Sequence, residues 1–510
     1  MLWDHLDVGT VSPDATTRAR PSTEHTLTDD GRLERSTAAV AVLGAVMVVW
    51  VLTFSVLVWL KHDRFASVDF DMGIHDQSIW LLAHFRGFMT VRGLQVFGHH
   101  ATPGYFLFVP FYWLGAGPHL LNIAQVCVAA AGAVPVFLLA RYRAGSAWAA
   151  ASLGVAYLLQ PALQFFMAEL FHPEVIAITP LLCAYYCSVR KRWGGFALWA
   201  MLALCWKEDV ALALVVLGLI IAARGDRKIG FVTAGAAALW FSLWIFALFP
   251  IINDGKIQNE GLYADVGGSP GGVVRSVFTH PGRIADKVVS SDTGRYAWKL
   301  LAPYGLVALA APVVLLMGLP QAFLNLVTNV PWTKTITFHY AAVPFAAVTL
   351  AAVEGFAYLA RRVRRRNRVE LLASAVLLCA FAATAVWGPS PVGNAYRDGE
   401  WALVARPEFA QARAAIDLIP DGSPLSASYD LLPQVAHRAE IYSFPNPWQS
   451  QNFGIDGEPR RSGARVQWIV LDRRTLGKDA KQVFARLVQQ SRFRIVFDRD
   501  DFVVARRVRE

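Results

Sequence analysis

STAAVAVLGAVMVVWVLTFSVLVWL (residues 36–60) and, shortly after it, SVDFDMGIHDQSIW (residues 67–80) decide how this chain is read. The first stretch holds no charge. An apolar run of about 18 or more residues is long enough to cross a bilayer as a helix. It is too long for the core of a signal peptide and has no small-residue cleavage site, so it is expected to stay as an anchor. The second stretch carries three carboxylates, Asp69, Asp71 and Asp76, with His75 among them. Charge beside a span is costly unless it faces water, a partner or a cavity, and such groups mark functional sites.

The rest of the chain follows the same logic. Of 510 residues, 55% are hydrophobic and 17% charged, against roughly 25% charged in soluble proteins. The net charge is +10, but the basic residues fall in short gaps between apolar blocks: RYR (141–143), RKR (190–192), RGDRK (224–228) and RRVRRRNR (361–368). Nucleic-acid binding needs a basic surface on a folded domain, so no nucleic-acid partner is expected. Basic gaps between spans mark cytoplasmic loops instead, and the last of them is also suited to anionic membrane lipids. Cys127, Cys183, Cys187, Cys205 and Cys379 lie inside apolar blocks without a Cys-x-x-Cys pair. They predict neither a disulfide framework nor a zinc site.

Residues 1–35 are polar and aperiodic and read as a disordered cytoplasmic tail. With the basic clusters inside, 37–60 runs outward and 61–101 is external. The stretch 102–117 is short, with Pro and Gly at both ends. A crossing there would put RYR outside, so it reads as re-entrant or interfacial. Further spans are expected at about 119–140, 145–161, 173–189, 194–206, 209–223, 229–252, 300–317, 319–333, 338–360 and 369–388, about eleven crossings in all. Residues 253–299 are expected to form a long external loop that acts as a lid. From 395 the pattern turns soluble: an amphipathic helix, strands including VQWIVLD (466–472), the helix KDAKQVFARLVQQS, and a hairpin turning at Asp498–Asp501. The expected architecture is an α-helical multipass membrane domain (36–390) with an external α/β domain (395–510).

Under this topology the unusual polar residues meet at the external face. To Asp69, Asp71, His75 and Asp76 are added His99 and His100, then Glu169, His172 and Glu174 in AELFHPEV. Lys207, Glu208 and Asp209 come from CWKEDVAL, and His339 and Tyr340 from TFHYA. Five separate segments each place ionisable groups at an outer helix end or loop. WKED is the sharpest: a tight hairpin exposes it or one long helix buries it. Each group also has a plainer role. Asp71 suits a helix cap, Lys207 a snorkelling lysine, and Glu208 and Asp209 helix-start acids. Adjacent His99 and His100 are poorly spaced for joint chelation, and His75 lies one turn from Asp71 on the same helix face.

At these residues the chain resembles a known family. FDMGIHDQSIW, FHPE, WKEDVAL and FHYAAVPF, with LSASYDLLPQVAHRAEIYSFPNP near the C-terminus, are similar to an uncharacterised bacterial family of predicted multipass membrane proteins. That family is related to the GT-C glycosyltransferases, which use polyprenyl-phosphate-linked sugars. The resemblance covers about residues 37–510. It implies a carboxylate general base in the first external loop, which falls on Asp71, with Asp69 giving the spaced pair DFD; His75 and Asp76, from the residues themselves, are the further catalytic candidates. In some members this carboxylate helps hold a divalent metal, magnesium or manganese, and the positions here are Asp71 and Asp69.

The chemistry suits the residue types. Glycosyl transfer needs a base for the acceptor hydroxyl, and a cation for the departing lipid phosphate. Lys207 is the expected cation, helped by His172 and His339. Glu174, Glu208, Asp209, His99, His100 and Tyr340 are expected to support. The expected function is transfer of a sugar from a polyprenyl-phosphate donor to a glycan, lipid or protein acceptor at the outer face of the plasma membrane. A transporter or lipid flippase, a non-catalytic envelope scaffold, and a metal-dependent lipid hydrolase are the alternatives. The first predicts paired halves and charge on both sides of the membrane, and no internal repeat is visible. The scaffold leaves the five charged segments without a role.

Overall fold

The computed structural model describes residues 29–508 except 259, 363–365, 405 and 456–461. Most of the tail expected over 1–35 lies outside the described residues. From Asp29 the chain is a single helix to Asp63. Leu43, Trp50, Phe54, Leu57 and Val58 are buried along one stripe, while Val48, Val49, Leu52 and Val56 are exposed and apolar. A helix apolar on all sides suits a lipid-facing span.

Among the described residues five helices are long and apolar enough to cross a membrane: Ser36–Asp63, Pro118–Ala144, Arg227–Ile252, His339–Arg362 and Arg368–Trp387. A sixth is the pair Ala147–Leu159 and Pro161–Ala168, bent by 41°. The bend falls at Gln160, whose side chain accepts a hydrogen bond from the backbone N–H of Ala162 (2.6 Å) just ahead of the next turn. Pro173–Val189, Trp193–Leu204, Val210–Ala223 and Pro312–Val327 are shorter apolar helices.

The continuous helix expected over 300–317 is not there. Pro303, Gly305 and Pro312 break it into 3-10 turns at Ala302–Tyr304 and Val307–Ala310, with Gly305 and Leu306 left-handed. Irregular backbone at membrane depth is tolerated only against protein, and the protein here is the central helix Ala342–Arg362. Gly355 makes the contact possible, because a Cβ there would sit 2.0 Å from the Val307 carbonyl oxygen. Residues 102–117 form Pro103–Leu107 and Val109–Trp113, both too short to cross.

The lid region is more ordered than its sequence suggested. It carries the helices Pro270–Thr279, Pro281–Val288 and Ser291–Leu301, and Ser269 and Ser290 cap the first and third. Lys287 bonds Asp265 within it (3.2 Å) and ties it to Asn329 (2.8 Å). The C-terminal residues form a five-stranded sheet in the order Ile441–Ser443, Leu425–Ala427, Trp468–Asp472, Phe502–Arg507, Phe493–Arg499. The first three strands are parallel and the last two antiparallel to their neighbours. Helix Lys478–Gln489 covers one face. The other packs on the membrane helices, in one hydrophobic core with Leu425, Val470 and Val504. Thr90, in the hairpin Phe88–Gln95, exchanges hydrogen bonds with Ile441 through its hydroxyl (2.7 and 2.8 Å). The sheet thereby fixes the loop, 61–101, that carries the acids.

Candidate active site

Asp71 lies in the π-helical turn Asp69–Gly73, anchored by buried Met72. It does not cap the helix that follows, Ile74–Ala83, whose N-cap is Gly73 without a side-chain cap. Its carboxylate turns instead to His172, with Oδ1 3.5 Å from Nε2, and stays 28% exposed.

His172 is held from behind. Asn122 Oδ1 accepts the Phe171 N–H (3.0 Å) and Gln125 Oε1 the His172 N–H (2.7 Å). Gln125 also donates to the Phe166 and Leu170 carbonyls. These buried amides support a turn in which Leu170 takes φ +74°, a backbone state that costs a non-glycine residue of order 1–3 kcal/mol. Asn122 and Gln125 escaped the sequence reading. Their signal was two amides, three residues apart, inside an apolar helix.

From His172 the polar groups run on without a gap. Its ring stacks on His339 at 3.9 Å. His339 Nδ1 lies 2.6 Å from Glu169 Oε1, and its Nε2 3.5 Å from Glu174 Oε1. Glu174 accepts from Lys207 Nζ at 2.6 Å. Lys207 also lies 3.6 Å from Asp209 and above the Tyr340 ring. Glu208 takes the His100 ring nitrogen (3.0 Å) and the Ala101 N–H (3.0 Å). WKED thus does both things the sequence offered as alternatives: it is a turn between two helices, yet Lys207 is buried.

Asp71, His172, His339, Glu174, Lys207, Asp209, Glu208, His100 and Tyr340 line one cavity of about 630 Å³, with His75 and His99 also in its wall and Glu169 behind it. Phe241, Ile245, Phe249 and Phe323 make an apolar side, and Tyr263, Val273 and Val277, from 253–299, complete the wall. Arg92 joins the wall, its guanidinium over the Phe70 ring at 5.2 Å. It was not among the expected site residues. One expected member stands apart. Asp76 turns away to Tyr112 and His437. The side chain of Asp69 is outside the described residues. Nor do Asp71 and His75 pair, since His75 Nδ1 bonds the Tyr105 hydroxyl (2.5 Å).

Electrostatics separates the roles. Burial opposes the His172 imidazolium, but Glu169 and Asp71 outweigh it and push its pKa up to about 9. Burial likewise opposes the Asp71 carboxylate. The His172 hydrogen bond and the surrounding imidazoles overcome this and hold it below the usual range, ionised at neutral pH. Burial keeps His75 and His99 well below the usual histidine value, hence neutral. Burial, opposed by Lys207 and reinforced by Glu208 and Glu174, pushes Asp209 up to about 6.

Among the described residues one group fits a divalent cation, and the expected pair Asp71 and Asp69 lies partly outside them. Glu169, His172 and His339 offer ligand atoms all within 4.8 Å of one another. Two imidazoles and a carboxylate suit zinc or a similar transition metal better than magnesium.

A family model described as a predicted membrane protein, DUF2079, matches residues 61–504. The chain belongs to this family. Among solved structures, ArnT from Cupriavidus metallidurans in the apo state matches with a TM-score of 0.54 and 15% identity, over 93% of this chain and 98% of that one. ArnT bound to undecaprenyl phosphate matches with a TM-score of 0.45 and 14% identity, over 90% and 98%. No curated protein matches. The chain therefore has a multipass membrane fold like that of ArnT.

Proposed function

We propose that the protein is an inverting GT-C-type glycosyltransferase of the plasma membrane. It moves a sugar from a polyprenyl-phosphate donor to a cell-envelope acceptor at the outer face. The observation that carries this reading is the convergence of separate segments on one cavity with a charged end and an apolar end. A lipid phosphate needs both. The ArnT-like fold supports the class.

Among the described side chains of the acidic loop, Asp71 is the carboxylate that is ionised, partly open and in the cavity. It takes the proton of the acceptor hydroxyl as that oxygen bonds to the anomeric carbon. The bond from that carbon to the phosphate oxygen breaks, and its electron pair leaves with the lipid phosphate. Lys207 and Arg92 stabilise that charge, and Phe241, Ile245 and Phe249 lie along the lipid chain. Glu169, His172 and His339 would hold a divalent cation, which when bound supplies further positive charge for the phosphate. Purified protein incubated with polyprenyl-phospho-sugars and envelope extract should release free polyprenyl phosphate. Silence across a panel of such donors would overturn the reading.

Two expected results follow here. Metal analysis of the purified protein should find about one transition-metal ion per chain, lost in His339→Ala and with 1,10-phenanthroline, together with a lower thermal midpoint. Metal content unchanged in His339→Ala would remove this site. Asp209 competes with the donor phosphate for Lys207. Its raised pKa means that it ionises, and competes, as pH climbs through about 6. Donor affinity should fall across that window in the wild type, and Asp209→Asn should flatten the profile. An unaltered profile in Asp209→Asn would refute the competition.

A further inference from the structure

Two membrane helices that hold the candidate site at one end carry a second feature at the other. In the span Pro118–Ala144, Asn122 and Gln125 support the His172 turn, and Tyr142 lies about 30 Å further along at the helical rise. Helix Pro173–Val189 starts beside the cavity with Glu174 and ends at Arg190.

The exposed residues of the first span are Cys127, Val134, Leu138 and Tyr142. They recur at helical spacing and share one face. On Pro173–Val189 the residues that are not fully buried are Cys183, Tyr186 and Val189, again one face. The two faces meet where the Arg190 guanidinium lies over the Tyr142 ring at 4.3 Å. Apolar surface left open along a membrane span meets lipid chains, so the two stripes border a lipid-facing groove that ends on an arginine.

Other cations at this end are matched. Arg143 donates twice to Glu354 (3.0 and 2.8 Å), Arg224 donates to the Tyr185 hydroxyl (3.0 Å), and Lys191 pairs with Asp226 (3.1 Å). Arg141, Arg190 and Arg192 have no carboxylate partner among the described residues. A guanidinium binds phosphate through two parallel hydrogen bonds, and the Tyr142 ring holds that of Arg190 in place. The ammonium of a zwitterionic headgroup would enter a zone of unmatched arginines. A glycerol headgroup would not.

We propose that one anionic phospholipid docks in this groove, on the membrane face opposite the candidate active site. Its chains lie along Val134 and Leu138, and its phosphate is held by Arg190. This docking does not depend on the transfer reading.

The test is native mass spectrometry of the full-length protein in a neutral detergent, titrated with phosphatidylglycerol, phosphatidylcholine or glycerophosphate. The first phosphatidylglycerol should bind about tenfold more tightly than phosphatidylcholine, and Arg190→Ala should abolish that preference. Tyr142→Leu keeps an apolar side chain but frees Arg190, and should weaken phosphatidylglycerol severalfold. Lys228→Ala, an equal loss of charge at an exposed position on the helix Arg227–Leu243, should bind as the wild type does. Equal affinity for the two lipids, glycerophosphate binding as tightly as the lipid, a preference that survives Arg190→Ala, or the same loss in Lys228→Ala would each overturn the proposal. Tyr142→Leu keeps the test decisive if Arg190→Ala does not fold.

Discussion

Asp71→Asn protein is expected to insert and fold as the wild type does, and to lose glycosyl transfer by roughly 100- to 10,000-fold, the range for removal of a general base. The swap keeps the shape of the side chain and its place beside His172, 3.5 Å away. What it removes is the charge that accepts the proton. Because the loss falls on the chemical step, turnover should drop while donor affinity changes little. The measurement is release of polyprenyl phosphate at saturating donor, with donor binding measured in parallel. Equal loss of binding and turnover would make Asp71 a donor-binding group, and full activity would take it out of the mechanism.

The second large effect concerns stability. Lys207 and Glu174 form a buried pair, each side chain only 7% exposed, with Asp209 3.6 Å from the ammonium. Removal of one partner from a buried pair costs about 3–5 kcal/mol, because the other charge is left without compensation. Lys207→Met leaves Glu174 and Asp209 facing each other with no cation between them. It should therefore destabilise the protein by about that amount, seen as a lower thermal midpoint in detergent. Glu174→Gln in the same chain should recover part of the loss, since it removes one of the stranded charges. A Lys207→Met protein as stable as wild type would show that the ammonium is a phosphate ligand only, with no structural duty.

How far the site was legible follows from the same residues. GIHDQSIW, FHPE, WKED and FHYA stand out because each interrupts apolar sequence with charge, and a charge at a membrane helix end needs a partner. That argument reaches the helix ends without any coordinates. It does not reach the pairings. Asp71 was matched to His75 on helix spacing, yet Asp71 pairs with His172 and His75 with Tyr105. Both true partners come from other segments, and periodicity within one segment says nothing of what packs against it. Arg92 carried no signal at all, since an arginine before a glycine in a short loop is ordinary until the hairpin Phe88–Gln95 is placed on a cavity.

The long apolar helices were read for the same kind of reason. Residues 36–60 and 338–360 carry their burial in composition alone, and the hydrophobic effect acts on each run locally. The stretch 300–317 was misread because composition cannot tell a straight helix from apolar chain broken by Pro303, Gly305 and Pro312. Its path depends on Gly355, about 50 residues later, leaving room for the Val307 carbonyl. Hydropathy thus determined that this chain crosses a membrane many times and gathers ionisable groups at the ends of its spans. Which of those groups touch was decided only when helices distant in sequence packed together. A side chain's direction is set by its own backbone, but its partner is set by another's.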